Sequence, residues 1–289
     1  MGAGIPLKVP GVLDKLSQGQ KATFPIDVAG MDKEYFMEFS PEAFWEAAGK
    51  PDLAAVSHQR PKFVPIVSSV VLAQSMLKRA DGEGPTKGID GFVVELSTAG
   101  GHNAPPRGFR YDPVAKSHAM DLNERGEPVY GPKDDVDLRK FAKVVEGKVP
   151  FWMAGAYAHA DKFRDAIALG AQGVQVGTLF ALSKESGMED SVRKSILKTI
   201  AEEGDMAVFT DPVASPTGYP FKVLEMPGTL SDDQEYVARP RLCSLGYLRS
   251  AYVKDDMGNI GYRCPAEPVK DWVQKGGEVE ATVGRKCLW

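Results

Sequence analysis

Short apolar runs alternate with helical periodicities along most of the chain. The four clearest runs are apolar on both faces, as expected of strands that are covered on both sides. These runs are residues 63–69, 91–97, 149–155 and 173–177. Weaker extended runs are residues 3–6, 24–30 and 206–210. Strands that alternate with helices are typical of α/β proteins with a parallel sheet, so we predict this fold class.

Three segments have the apolar spacing of amphipathic helices. Residues 70–77 and 163–169 each place apolar side chains on one face, and Gly170 stands where a helix end favours a left-handed residue. Residues 186–204 carry acidic side chains near their start and lysines along their length. We therefore predict a helix over each of these segments.

Two stretches lack such periodicity. Residues 103–135 are rich in Pro, Gly, Asp and Lys, which predicts a long loop over the functional face of the sheet. The chain from residue 211 onward is turn-rich. We interpret this tail as a cap that packs on the main domain, and not as a separate enzyme.

Composition and charge exclude several classes of protein. The chain has 289 residues, of which 43% are hydrophobic and 26% charged, with a formal net charge of -4. This balance provides no basic surface for nucleic acid or an acidic membrane. No apolar run approaches the roughly 20 residues of a membrane span, and the opening residues lack a signal-peptide pattern. We expect a cytoplasmic protein that acts on a small molecule.

The segment 149–178 predicts a phosphate site. It contains two successive strands that end in Gly155 and in Gly177–Thr178. A glycine at the carboxyl end of a parallel strand leaves its backbone N–H open to a phosphate, because no Cβ is in the way. Paired turns of this kind bind one phosphate group in flavin-binding barrels. Glycines that merely form turns are the alternative.

His102 is the candidate catalytic residue. The strand at 91–97 runs into Ala99, Gly100, Gly101 and His102. The two glycines allow the backbone to lie flat against a planar ligand. An imidazole is the side chain whose ordinary pKa lies nearest neutrality, so it suits proton abstraction from a carbon acid. The alternative is a surface histidine that caps a turn. The other three histidines have weaker claims, and His159 is interpreted as a residue at the start of a helix.

The three cysteines do not form a recognisable motif. Cys243, Cys264 and Cys287 are too widely spaced for a CxxC metal site and too few for a disulfide framework. We expect buried structural thiols and no metal ion, and a three-cysteine cluster in the tail stays open as an alternative.

Several of these segments resemble the nitronate monooxygenase family, which includes flavin-dependent enoyl reductases. The resemblance is carried by AGGH at 99–102, by Ala154–Gly155 and by ALGAQGVQVGTLFALSKES at 168–186. SPTGYPFK at 215–222 is similar to the family's segment after the barrel.

The resemblance implies a TIM-type (β/α) barrel that binds FMN. It assigns residues 1–225 to the barrel core and 226–289 to a C-terminal appendage. His102 would be the base or substrate contact. The implied cofactor contacts are Ser68, Ala99, Gly100, Gly101, Gly155, Gly177 and Thr178, with Ser68 the weakest of them.

Two departures from the family pattern stand out. The family has Gly-Gly where this chain has Gly155–Ala156. The opening MGAGIP resembles a strand that lies well inside the family's barrel, and the chain offers about six or seven strands where a closed barrel needs eight. We therefore expect a barrel that lacks its first strands. Either the chain is a fragment of the barrel, or its sheet is closed by the tail or by a second copy of the chain in a homo-oligomer.

Three functions remain open at this stage. The first is an FMN-dependent oxidoreductase that oxidises a small carbon acid such as an alkyl nitronate, with His102 as the base. The second is an enoyl-thioester reductase on the same scaffold, for which Arg107, Arg110 and Lys116 would form a basic patch for an acyl-carrier protein. The third is a non-catalytic fragment, which the missing first strands suggest.

Overall fold

The computed structural model describes residues 7–55, 59–80, 88–108, 110–112, 117–206 and 208–287. The strands of this part are β1 (Ala22–Ile26), β2 (Val28–Ala29), β3 (Tyr35–Phe39), β4 (Ile66–Val67), β5 (Phe92–Glu95), β6 (Arg110–Asp112), β7 (Ser117–Ala119), β8 (Phe151–Ala154), β9 (Gly173–Gln175), β10 (Val208–Asp211), β11 (Phe221–Leu224), β12 (Ser250–Val253) and β13 (Ile260–Arg263).

The helices of the same part vary from four to fourteen residues. They are α1 (Val9–Ser17), α2 (Pro41–Ala47), α3 (Val70–Ala80), α4 (Leu138–Val145), α5 (Ala160–Ala168), α6 (Thr178–Ala181), α7 (Asp190–Glu203), α8 (Asp233–Ala238) and α9 (Val269–Gln274), with short 3-10 helices at Pro51–Ala55 and Val279–Thr282. None of the helices in the described part is long and apolar enough to cross a bilayer.

A four-stranded parallel sheet in the order β4-β5-β8-β9 forms the centre of the fold. The four clearest apolar runs of the sequence therefore form one sheet, as an α/β fold with parallel strands requires. The register pairs Val93 with Ile66 on one side and with Trp152 on the other, and Trp152 with Gly173. Because the strands are parallel, the turns that follow them lie along one edge of the sheet.

One face of this sheet is covered by helices α3, α4 and α5, and the main hydrophobic core lies between them. Phe92 and Phe151 point into it from adjacent strands and meet Phe141 of α4, with ring centroids 6.0 and 5.5 Å apart in edge-to-face geometry. Helix α4 lies outside the predicted helices. Its start is marked by Asp137, whose carboxylate accepts a hydrogen bond from the backbone N–H of Lys140.

The other face of the sheet carries Trp152, whose ring lies across two glycines. A Cβ atom at Gly91 would lie 2.7 Å from the Trp152 ring, and one at Gly173 would lie 3.2 Å from it. Both neighbouring strands therefore need glycine beside this tryptophan. Side chains alternate along a strand, so Val93 and Glu95 share this second face.

The remaining strands form separate small sheets. The run 24–30 is divided between β1, which pairs antiparallel with β3, and β2, which pairs in parallel with β12 of the tail. The run 206–210 becomes β10, which forms an antiparallel pair with β11. The run 3–6 lies outside the described residues. Within the described residues four strands lie side by side in parallel, so the closed barrel stays a prediction.

The predicted helices are present, and the predicted loop contains a short pair of strands. The segments 70–77, 163–169 and 186–204 correspond to α3, α5 and α7. Gly204 ends α7 with a φ of +82°, a left-handed conformation that favours glycine. The loop 103–135 carries a short antiparallel pair, β6 with β7.

Candidate functional site

The candidate site lies at the carboxyl edge of the central sheet, in the turn after β5. Gly101 has a φ of +80°, which favours glycine, and reverses the chain there. Asn103 is buried, and its Nδ2 donates a hydrogen bond to the carbonyl of Ala99 (3.1 Å). This bond closes the turn and directs His102 away from the strand.

Strand β11 holds this turn from the far side. The backbone N–H of Asn103 donates to the carbonyl of Pro220, and that of Lys222 donates to the carbonyl of Gly101, each at 2.9 Å. The His102 ring packs edge-to-face on Phe221, with centroids 4.9 Å apart. The histidine is thus fixed by a segment more than a hundred residues further along the chain.

A hydrogen bond joins His102 to a buried serine. Nε2 of His102 lies 2.7 Å from Oγ of Ser215, and that hydroxyl lies 2.7 Å from Oγ1 of Thr217. Ser215 is fully buried. Burial of the imidazole, and then the positive charge of Arg249, lower the pKa of His102. The neutral imidazole is therefore favoured, which is the form that can accept a proton.

Ser215 and Arg249 are site residues that sequence reasoning missed. Ser215 begins the SPTGYPFK segment of the family resemblance, so a signal for it was present. Arg249 lies in the tail and its guanidinium donates to the carbonyl of Thr217 (3.5 Å). No local pattern relates a residue of the tail to a histidine of the sheet.

Glu95, at the end of β5, was also missed. Burial raises its pKa to about 7, so it is half protonated near neutrality. The signal was visible, because Glu95 is a charged residue in an otherwise apolar strand. By extension of the register between β4 and β5, Ser68 lies beside it, one residue after the end of β4.

The predicted phosphate turns lie at the same edge of the sheet as His102. Gly155 follows β8 directly. Gly177 is the N-cap of α6, the helix after β9, and Thr178 is the first residue of that helix. A Cβ atom at Gly155 would lie 2.8 Å from Oγ1 of Thr98 and 3.1 Å from the amide nitrogen of Ala99. The structure therefore brings Gly155 against the turn that leads to His102.

Ala156 occupies the position at which the resembling family has a second glycine. It has a φ of +58°, a left-handed conformation that is strained for any residue with a Cβ. Two successive left-handed residues, Gly155 with a φ of +102° and Ala156, turn the chain sharply after β8.

Three features of the site fit a planar ligand with a phosphate group. Open space surrounds the Cβ positions of Gly100, Gly101 and Gly177. Among the described residues, none accepts a hydrogen bond from the backbone N–H of Ala156 or of Gly177. Oδ1 of the buried Asn103 also has no hydrogen-bond partner there. A flavin with its phosphate would supply a flat surface, acceptors for these backbone amides and, through its ring N–H, a donor for the Asn103 oxygen.

The other candidate residues are placed elsewhere. His159 is the N-cap of α5, and its ring nitrogen accepts a hydrogen bond from the backbone N–H of Asp161 (3.3 Å), so it is the helix-start residue that was predicted. His118 lies in β7, and His58 lies outside the described residues. The groove at the amino edge of the sheet, between α4 and β8, contains none of the predicted site residues.

The cysteines lie close to one another in the tail. Burial alone would raise the pKa of Cys243, but hydrogen bonds from the backbone N–H groups of residues 245–247 and from the Cys287 thiol lower it. Cys264 is buried. In the part of the chain that the structure describes, no group of three His, Cys, Asp or Glu side chains is arranged to hold a metal ion.

Comparisons with known proteins relate the chain to one family. The family model for nitronate monooxygenase matches residues 54–226, which is more than half of the chain. No curated protein sequence matches it significantly.

Among solved structures, FabK from Thermotoga maritima is 21% identical with a TM-score of 0.36, over 68% of this chain and 46% of that one. A point mutant of the same FabK is 24% identical at the same TM-score, over 58% and 42%. A nitroalkane oxidase from Streptomyces ansochromogenes is 17% identical, also at 0.36, over 62% and 41%. The chain thus spans less than half the length of these structures.

Proposed function

This chain belongs to the nitronate monooxygenase family, and from that premise we propose that it is an FMN-dependent oxidoreductase that oxidises a small carbon acid such as an alkyl nitronate, with His102 as the catalytic base. One observation carries the proposal. His102 is held at the sheet edge by its hydrogen bond to Ser215, with a lowered pKa and beside two glycines whose Cβ positions face open space.

The backbone of the site would hold the cofactor. Gly100 and Gly101 leave room for the flat ring system, and the N–H groups of Ala156 and Gly177 are directed to no other described residue and suit a phosphate. FMN, when bound, supplies the redox chemistry that amino-acid side chains lack. Ser68, Ala99, Gly155 and Thr178 complete the proposed set of contacts.

The carbon acid from which an alkyl nitronate forms is the nitroalkane, and His102 would accept the α-proton that this nitroalkane loses. In the arrangement that we propose, Nε2–H donates to Ser215 Oγ, and the Ser215 hydroxyl donates to Thr217 Oγ1. The backbone N–H of Tyr219 already donates to Thr217 Oγ1 (3.3 Å), which fixes the end of this chain of bonds. Nδ1 of His102 is then the unprotonated nitrogen that faces the substrate.

The positive charge of Arg249 suits this role. It disfavours a second proton on the resting imidazole. It would also stabilise the negative charge of a nitronate at the same site. The lowered pKa extends to lower pH the range in which the base is neutral.

The test is a visible absorption spectrum of the purified protein, before and after addition of FMN and then of an alkyl nitronate without oxygen. We expect bound-flavin absorption at about 450 nm that is lost on addition of the nitronate. With a nitroalkane in place of its preformed nitronate, His102→Gln should bind FMN normally and lower the rate at which the flavin absorption is lost at least about a hundred-fold, because general-base catalysis contributes roughly that factor. His159→Gln is the matched control, since it changes an exposed histidine of a helix N-cap.

Two outcomes would contradict the proposal. A protein that takes up no FMN is not a flavoenzyme, which would favour the non-catalytic alternative. A protein whose flavin is unaffected by nitronate, but is bleached by a reduced nicotinamide and reoxidised by an enoyl thioester, is the reductase instead.

A further inference from the structure

The C-terminal segment contains a buried arginine whose hydrogen bonds all reach backbone carbonyls. Arg285 is 4% exposed. Its Nη1 donates to the carbonyls of Val213 (2.5 Å) and Ser215 (2.6 Å), and its Nε donates to that of Ala281 (3.4 Å). It lies outside residues 54–226, the part of the chain that matches the family. The catalytic machinery of the family therefore does not account for it.

Neighbouring contacts hold the same short loop. The backbone N–H of Lys286 donates to the carbonyl of Ala214 (2.9 Å), between the two carbonyls that Arg285 binds. On the other side, the Asp211 carboxylate accepts the N–H groups of Val213 and Ala214 at 2.7 and 2.8 Å. The loop 213–215 is thus fixed through both its carbonyl and its amide groups.

The guanidinium is costly to bury, so its position calls for an explanation. Burial lowers the pKa of Arg285, which shows that the surroundings disfavour its charge. Nη1 binds both loop carbonyls while Nε reaches the carbonyl of Ala281. A lysine has a single nitrogen that lies one bond nearer the backbone, so it cannot reproduce this fork of contacts. We therefore infer that this arrangement fixes the geometry of loop 213–215, and does not mainly stabilise the tail.

A single hydrogen bond connects loop 213–215 to His102, the candidate base. The carbonyl of Ser215 accepts from Arg285, and the hydroxyl of the same serine is hydrogen-bonded to Nε2 of His102. Fixing the serine backbone fixes the point from which its hydroxyl meets the imidazole. A shift of about 1 Å at such a contact is enough to lose much of its catalytic value.

We propose that Arg285 is a positioning residue for the reaction at His102, and that it acts through Ser215. The C-terminal segment thereby supports a site whose candidate base follows β5 of the central sheet. This inference rests on the proposed function for its catalytic meaning. The structural coupling between Arg285 and the His102 ring can be measured without turnover.

The first measurement is nitrogen-15 NMR of the full-length protein, which is loaded with FMN and carries isotope-labelled histidine. His102→Gln identifies the His102 signals. We expect wild-type His102 to carry its proton on Nε2 and to titrate below the ordinary pKa. In Arg285→Lys, which keeps the charge but loses the fork, we expect a mixture of tautomers and a pKa nearer the ordinary value. Arg239→Lys, in which an exposed arginine of the tail loses a bond to the carbonyl of Gly228, should leave the His102 signals unchanged.

The second measurement is a double-mutant cycle on nitroalkane oxidation, the reaction that requires the base. Arg285→Lys should lower kcat about ten-fold with little change in KM, because an interaction that only orients the base affects the chemical step. In a Ser215→Ala background the same substitution should have no further effect.

The outcomes separate the two proposals. If no nitronate is oxidised but the His102 signals change in Arg285→Lys, the proposed substrate is wrong and the coupling stands. If Arg285→Lys is folded and its His102 signals match the wild type, the positioning role is wrong. An equal loss of activity in both backgrounds would also overturn it, since Arg285 would then act independently of Ser215.

Discussion

Gly155 lies so close to Thr98 that the two turns they belong to leave no room for a side chain between them. A Cβ atom at position 155 would lie 2.8 Å from Oγ1 of Thr98, and Gly155 has a φ of +102°. The glycine predicted as a phosphate contact thus also packs the turn after β8 against the turn that leads to His102.

This packing predicts that Gly155→Ala is destabilising. The added methyl group would collide with Thr98 and with the amide of Ala99, and an alanine would be strained at this φ. We expect a loss of about 2–3 kcal/mol in the free energy of unfolding, measured by urea denaturation of the FMN-free protein. A loss below about 0.5 kcal/mol would show that the two turns are not packed as described.

Gly177→Ala is predicted to behave in the opposite way. Nothing lies within 4 Å of its Cβ position, and its φ of -103° is available to alanine. The stability of the FMN-free protein should stay within about 0.5 kcal/mol of the wild type. FMN binding should weaken at least about ten-fold, because the methyl group would stand where the phosphate approaches the backbone. Fluorescence titration with FMN measures this, and unchanged affinity would remove Gly177 from the cofactor site.

Glu95 predicts a specific pH dependence of stability. Its pKa in the folded protein is raised by burial from 4.5 to about 7. The folded state therefore binds the proton more tightly than the unfolded state does. The contribution of the protonated form to stability is complete below pH 4.5 and is lost as the pH rises through about 7.

Glu95→Gln, which keeps the shape of a neutral carboxyl group, should abolish this dependence. We expect the stability of the wild type relative to Glu95→Gln to fall by about 2 kcal/mol between about pH 5 and pH 8. Urea unfolding of both FMN-free proteins at the two pH values measures the difference. The comparison cancels the other titrating groups, and a constant difference would mean that Glu95 is well solvated.

The tail cysteines should differ in reactivity. Burial raises the pKa of Cys264 to about 11, whereas hydrogen bonds to Cys243 outweigh burial and lower its pKa. The thiolate is the reactive form, so iodoacetamide at about pH 8 should alkylate Cys243 at least about ten-fold faster than Cys264. Mass spectrometry of the digested protein measures both rates. In urea the two rates should converge, and equal rates in the folded protein would contradict the prediction.

Much of the central sheet was predictable because its signals are local. Strands β4, β5, β8 and β9 are covered by helices on one face, and their runs are apolar enough to be identified from a few residues each. Helices α3, α5 and α7 repeat apolar side chains at helical spacing. Helix α4 was missed because it has only eight residues, too few for a clear helical repeat, and because it follows a loop rich in Pro and Gly.

The candidate site could be predicted only in part. His102 and the glycines around it could be identified because they immediately follow buried strands, and strand ends meet at one edge of a parallel sheet. The family to which the chain belongs could be predicted for the same reason, since its motifs lie at those strand ends. Glu95 could have been added, because a charge in an apolar strand is itself a signal.

What the sequence by itself determined is therefore the local order of strands and helices, the turn that presents His102, and the family. Only the tertiary structure decided that Ser215 meets His102 and that Arg285 holds Ser215. The local spacing of apolar residues indicates which side of a helix or strand is buried. It does not indicate which distant part of the chain covers that side. The contacts among residues 102, 215 and 285 depend on how β11 and the tail pack on the sheet, and that packing is a property of the folded chain as a whole.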